Sequence, residues 1–162
     1  MSFLPTEYKV PVSGGNYYKL QDGENTFRIL SSAIIGWEYW TTANKPVRSK
    51  TRFEEQPVDI KIGKDGKVSI KHFWSFVIWD YKEKAIKIME ITQQTIQTAI
   101  KALVDNNKWG DPKGYDISVN RKGEGFDTEY TTMPNPHSEI EDTIKDAFMQ
   151  KTINLEALYD GG

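Results

Sequence analysis

A mainly β protein with one helix in its body is the fold class that the sequence predicts. Residues 25–41 and residues 58–81 are rich in β-branched and aromatic residues, as strands are. Later in the chain, apolar residues recur at helical spacing over residues 92–107, and two further strand-like segments follow. Many short strands around one interior helix are typical of a single β domain, which 162 residues suffice to build.

Five strands and an inserted hairpin are predicted in this body. Gly36 interrupts the first and longest strand, where we expect a bend or bulge. Residues 42–57 lack apolar periodicity, which predicts a loop. A hairpin over residues 58–70 is indicated by alternating apolar residues on both sides of Asp65-Gly66, a dipeptide suited to a tight turn. The predicted strands cover residues 25–41, 73–81, 85–91, 115–121 and 127–133.

Two helices are predicted. The first follows the third strand, with Thr92 or Thr95 as its N-cap. The second begins after the last strand, where Ser138 and Glu141 have the spacing of a capping box. The predicted apolar stripes are Ile96, Ile100, Leu103 and Val104 in the first helix and Ile140, Ile144 and Phe148 in the second.

The order of these elements is that of the OB-fold, a five-stranded Greek-key barrel with its helix between strands three and four. Here the hairpin is inserted between strands one and two. We expect an N-terminal arm at residues 1–15, an OB-fold domain at residues 16–136 and an acidic helical tail at residues 137–162. The tail helix could dock partner proteins, lie over a basic groove and compete with nucleic acid, or simply pack onto the barrel.

Composition excludes several classes of protein. The chain has no Cys and two His, so disulfides and thiolate metal sites are excluded, and we expect no metal and no cofactor. The first residues lack the pattern of a secretion signal, and no apolar run approaches the length that spans a membrane. These features favour an intracellular protein without a membrane partner.

Positive charge and aromatic residues coincide in one stretch, residues 36–53. Residues 1–136 carry two more Lys and Arg than Asp and Glu, whereas residues 137–162 carry four fewer. Cations that follow phosphates and flat side chains that stack on bases are what sequence-tolerant binding of single strands requires. The predicted DNA contacts are the cations Lys45, Arg48, Lys50, Arg52, Arg121 and Lys122 and the aromatic residues Trp37, Tyr39, Trp40, Phe53, Trp74 and Phe76.

Other functions remain open at this stage. Glu54, Asp59 and Lys61 could form part of a metal-dependent nuclease site, although no complete catalytic pattern is present. An RNA-binding OB module and a barrel that binds only proteins are further alternatives. The pattern favours a protein that is not an enzyme.

The chain resembles a phage-type single-stranded DNA-binding protein, an OB-fold helix-destabilising protein. The resemblance rests on residues 17–40, on "KPVR", on residues 73–100 and on residues 109–136. It implies binding of single strands without sequence preference in replication, recombination and repair, in the host cytoplasm if a phage encodes the chain. It also implies replication or recombination partners for the tail, self-association along DNA, and contact with DNA through the strand Trp37–Trp40, the loop Lys45–Arg52 and the strand that holds Trp74 and Phe76.

Overall fold

The computed structural model describes residue 3, residues 17–151 and residues 153–160. The predicted N-terminal arm lies outside these residues apart from Phe3. The strands are β1 (Tyr17–Tyr18), β2 (Gly23–Ile29), β3 (Ile34–Trp40), β4 (Pro46–Ser49), β5 (Lys71–Asp80), β6 (Ala85–Ile91), β7 (Tyr115–Lys122) and β8 (Glu129–His137), and the helices are α1 (Gln94–Val104) and α2 (Asp142–Gln150).

The strands form one mixed sheet with β2 and β5 at its centre. β2 pairs antiparallel with β5 and β7, and β7 pairs with β8. β5 also pairs antiparallel with β3 and β6. The outer edge of β6 is occupied by the short parallel strand β1, and within the described residues β6 and β8 do not pair. The mainly β class is therefore confirmed, but the sheet is not the closed barrel that the sequence predicts.

The predicted first strand is two strands, β2 and β3, and the chain bends between them at residues 30–33. Gly36 lies inside β3, in regular register with Phe73, so the prediction of a bend there is wrong. A Cβ atom at Gly36 would lie 2.2 Å from the carbonyl oxygen of Ser49. The glycine is therefore explained by the close approach of the β4 backbone.

The inserted hairpin is mostly absent. Residues 46–49, predicted as loop, form β4 and pair with β3. Residues 58–70 retain only a tight turn, in which Gly63 N–H donates to Lys67 O at 2.8 Å, and a single bridge between Ile62 and Val68. Ile60 is buried and bridges to Thr41, but β3 already pairs with β4 and β5, so the two arms add no strand to the sheet. Their other apolar residues, Val58, Ile62, Val68 and Ile70, are exposed.

The main core lies between one face of the sheet and α1. Ile96 and Ile100 are buried there, as predicted, whereas Val104 is exposed. The predicted threonine caps are wrong: Gln93 is the N-cap residue, and no side chain caps the helix. Neighbours of the two isoleucines in the core are Phe27, Ile29, Phe76, Ile78, Met89, Ile91, Tyr115, Ile117 and Val119.

The opposite face of β5 and β6 is covered by the C-terminal segment, residues 138–151 and 153–160. Ile144 of α2 is buried there against Val77, Trp79 and Ile86, so the predicted apolar stripe is confirmed. The predicted capping box is not formed. Glu141 is the N-cap residue, and the hydroxyl of Ser138 instead accepts a hydrogen bond at 3.1 Å from Arg28 Nη1.

Candidate nucleic-acid interface

The aromatic residues of β3 point to opposite sides of the sheet, as alternation along a strand requires. Trp37 is half-buried, and its ring lies 4.9 Å from that of His72. Tyr39 is buried; its hydroxyl donates to Asp59 Oδ1 at 3.1 Å and its ring meets Phe53 at 5.1 Å. Trp40, on the other side, is 47% exposed. Among these β3 aromatics, Trp40 has the indole that is most available to a ligand.

The two aromatic residues predicted on β5 also differ in burial. Phe76 is 3% exposed and belongs to the main core. Trp74 is half-buried and lines a cavity of about 430 Å³ beside Ile100 and Val104. A ring that is enclosed by core residues cannot stack on a base, so Trp74 remains a candidate and Phe76 does not.

Arg48, predicted as a phosphate contact, is buried in an ion-pair cluster. Its Nε lies 3.2 Å from Glu38 Oε2 and 3.0 Å from Glu90 Oε1, and the three side chains are at most 17% exposed. Its Nη1 also donates to the carbonyl oxygen of Leu158, which ties the C-terminal segment to β4. The guanidinium is thus committed to two carboxylates inside the protein, which makes it a structural residue.

Two carboxylates share the one arginine, and this has a consequence for protonation. Burial, together with the hydrogen bond and charge of Glu90, raises the pKa of Glu38 from its usual value of 4.5 to about 8, and Arg48 offsets only part of the increase. Near neutral pH Glu38 therefore keeps its proton and adds no negative charge beside Arg48.

The substitution Glu38→Gln should remove a pH dependence of stability. The folded protein keeps the Glu38 proton up to about pH 8, whereas the unfolded chain loses it near the usual pKa of 4.5. The free energy of unfolding should therefore fall as the pH rises between these values, by up to about 1.4 kcal/mol per pH unit. Glutamine has no proton to lose, so the variant should show a flatter profile. Urea unfolding of both proteins across this window is the measurement, and equal slopes would contradict the assignment.

The remaining cations of the first loop are exposed. Lys45 lies in the turn between β3 and β4, and Arg52 follows β4. Lys50 is also exposed, but it lies 3.2 Å from Glu156 and its Nζ lies 5.2 Å from the ring centre of Tyr159. A pair this exposed contributes about 0–1 kcal/mol and is readily exchanged for another anion. The side chains of Lys45, Lys50 and Arg52 are therefore all accessible to phosphate.

The second predicted cation pair lies elsewhere on the sheet. Arg121 is in register with Gly23, where β2 begins, whereas the first loop follows Trp40, where β3 ends. The Nη1 of Arg121 donates to the carbonyl oxygen of Leu20 at 3.4 Å, and Lys122 is exposed. Strand pairing thus keeps the two cationic loops at opposite ends of the β2–β3 stretch.

Three lysines that sequence reasoning did not assign to DNA binding lie beside Trp40. Lys61, Lys67 and Lys71 line a cleft with this indole. The available signal was the basic run "KIGKDGK" (61–67), which the alternating apolar pattern assigned to a hairpin instead.

The residues proposed for the nuclease alternative do not form a metal centre in the part of the chain that is described, where no cluster of three His, Asp or Glu could hold a metal ion. Asp59 accepts the hydrogen bond of Tyr39, and Glu54 is exposed. Among the same residues, neither helix is long and apolar enough to cross a membrane.

The chain is similar to a protein of Escherichia phage T5 named "Probable ssDNA-binding protein", with 29% identity over 137 residues. The match covers 70% of this chain and 52% of the phage T5 protein, so the chain spans about half the length of that relative. This similarity confirms the resemblance to a phage-type single-stranded DNA-binding protein that the sequence predicts. No family model and no solved structure matches the chain.

Proposed function

We propose that this protein binds single-stranded DNA without sequence preference and without catalysing a reaction, in phage replication, recombination and repair. The observation that carries the proposal is the exposed Trp40 indole at the end of β3, surrounded by exposed cations of the neighbouring loops. Stacking surfaces and cations in one place are what a sequence-tolerant binder needs. The similarity to a phage T5 protein named as a probable ssDNA-binding protein supports the same function.

The architecture that we propose for this function is an OB-fold with an open seam. In support, the bent β2–β3 stretch pairs with β5, β5 with β6, β2 with β7, and β7 with β8. The helix α1 lies between the third and fourth of these strands in chain order, as in OB-folds. The pairing that would close the barrel, β6 with β8, is the one that β1 replaces.

The proposed DNA contacts are the predicted residues that keep an accessible group. Tyr39, Arg48 and Phe76 are left out because they are buried. Arg121 and Lys122 would contact a strand only where it runs to the far end of β2. The contacts that we propose around β3 are Trp37, Trp40, Lys45, Lys50, Arg52, Phe53 and Trp74.

Further partners belong to the same proposal. A domain at residues 16–136 would carry the DNA site, and the acidic residues of the C-terminal segment would contact replication or recombination proteins. Self-association along DNA would add affinity. In this role the protein would act inside the host cell.

The test is a titration with oligo-dT, a duplex of equal length and a matched RNA strand at two salt concentrations. We expect the single DNA strand to quench the tryptophan fluorescence and its affinity to fall with salt. No binding at low salt would contradict the proposal, and tighter binding of RNA would favour an RNA-binding module. Cleavage of labelled DNA with Mg²⁺ or Mn²⁺ would favour the nuclease.

A further inference from the structure

A cleft of about 480 Å³ lies between the end of β3 and the segment that follows β4. Trp40 and Glu38 form its β3 side, and Lys71, where β5 begins, closes one end. The rest of the lining comes from the turn segment: Lys61, Gly63, Asp65, Lys67, Val68 and Ser69.

The two walls of the cleft are fixed to each other by backbone contacts. Lys61 N–H donates to the carbonyl oxygen of Trp40 at 2.8 Å, and Thr42 N–H donates to that of Asp59 at 2.9 Å. Ile60, between these two bonds, is buried at 6% exposure. The cleft is thus preformed, although the two arms of the segment that borders it pair through a single bridge.

The lining combines an aromatic face with unneutralised positive charge. The indole of Trp40 is 47% exposed and Val68 is 37% exposed. The ammonium groups of Lys67 and Lys71 form no salt bridge within the described residues, and Lys61 Nζ donates to Asn44 Oδ1 at 2.6 Å.

The two acidic residues of the lining do not cancel this charge. Asp65 Oδ1 accepts the backbone N–H of Lys67 at 2.9 Å, which holds it in the turn. Glu38 faces Arg48, and its pKa is raised to about 8, so it adds no charge near neutral pH. One carboxylate therefore faces three ammonium groups.

We propose that this cleft is a nucleotide-binding subsite for single-stranded DNA, in which a base stacks on Trp40 and Lys67 and Lys71 contact the flanking phosphates. Lys61, on the same wall as Lys67, borders the bound DNA strand, and Val68 contacts the apolar edge of the base or sugar. The subsite rests on the proposed function and extends it to three lysines beyond the predicted loop.

The test compares two variants with a matched control in the full chain. The slope of log K against log salt for oligo-dT is negative. The double variant Lys67→Ala/Lys71→Ala should reduce its magnitude by about 1.4, because each phosphate contact to a single strand contributes about 0.7. The variant Trp40→Ala should lose about 5- to 150-fold in affinity, which corresponds to one lost stack. The control Lys108→Ala/Lys145→Ala removes the same charge from exposed positions outside the cleft and should leave the slope almost unchanged.

Anisotropy of labelled oligo-dT gives the affinities, and circular dichroism with urea unfolding shows that each variant folds. If the wild-type chain does not bind oligo-dT at all, the proposed function fails. If it binds, but the lysine variant keeps the wild-type slope or Trp40→Ala keeps the wild-type affinity, the subsite is overturned and the function stands. Thymidine monophosphate is added as a competitor; a free nucleotide that binds as tightly as the strand would overturn the assignment to a polymer.

Discussion

The substitution Arg48→Ala should destabilise the fold by about 3–5 kcal/mol, because it removes the counter-ion of the buried Glu38–Glu90 pair. The guanidinium lies 3.0 Å from Glu90 and 3.2 Å from Glu38, and its side chain is 4% exposed. It also donates to the carbonyl oxygen of Leu158, so the C-terminal segment should loosen with it. Urea unfolding followed by tryptophan fluorescence measures the loss.

Arg52→Ala is the matched control. Arg52 lies four residues further along the chain but is exposed, so its removal should change the free energy of unfolding by no more than about 0.5 kcal/mol. It should instead reduce the magnitude of the slope of log K against log salt for oligo-dT by about 0.7.

Adding Glu38→Gln and Glu90→Gln to the Arg48 variant should recover part of its stability, since no uncompensated charge is then left. An Arg48→Ala protein as stable as Arg52→Ala would show that the cluster contributes nothing.

This pair shows where the sequence stops being informative about the site. In "KPVRSKTR" (45–52) the four cations look alike, and nothing local distinguishes Arg48. Its burial depends on Glu90, which is 42 residues away and reaches it because β6 pairs with β5, β5 with β3 and β3 with β4. The same holds for Trp74 and Phe76, which share one face of β5. The alternation along the strand shows that they do, but not that this face packs on the main core.

The fold follows a similar division. Elements defined by local periodicity were predicted well, as α1, β7 and the stripe of α2 illustrate, because burial of one face dictates their pattern. The start of α2 was predicted wrongly. The hydroxyl of Ser138 accepts a hydrogen bond from the buried Arg28, so it does not cap the helix as its spacing suggests. Residues 58–70 have the alternation of a hairpin, but only Ile60 is buried, against the end of β3, and alternation alone cannot reveal that.

The cleft beside Trp40 was missed for the same physical reason. It is made by contacts between Trp40, Thr42 and residues 59–61, which join the end of β3 to a segment about 20 residues later. A pattern read along the chain assigned its lysines to an isolated turn. Only the pairing of these segments brings three ammonium groups to one indole.

The C-terminal helix should prove to be part of the fold, and Ile144→Ala is the substitution that decides it. Ile144 is 2% exposed and packs among Leu30, Val77, Trp79 and Ile86. Truncation of a side chain in such a position costs about 2–5 kcal/mol, because the cavity left behind is only partly refilled. Urea unfolding gives the value. If the tail did not pack on the sheet, Ile144→Ala would leave the free energy of unfolding unchanged.

Met149→Ala on the same helix is the control, since Met149 is 82% exposed and its removal should cost no more than about 0.5 kcal/mol. If the two variants are equally stable, α2 does not pack on the outer face of β5 and β6. The acidic tail would then be free of the sheet and available to partner proteins. If only Ile144→Ala is destabilised, a chain that ends at residue 136 would expose Val77, Trp79 and Ile86. Partner proteins would then have to contact the exposed acidic side of α2, around Glu139, Asp142 and Asp146, while its apolar side stays on the sheet.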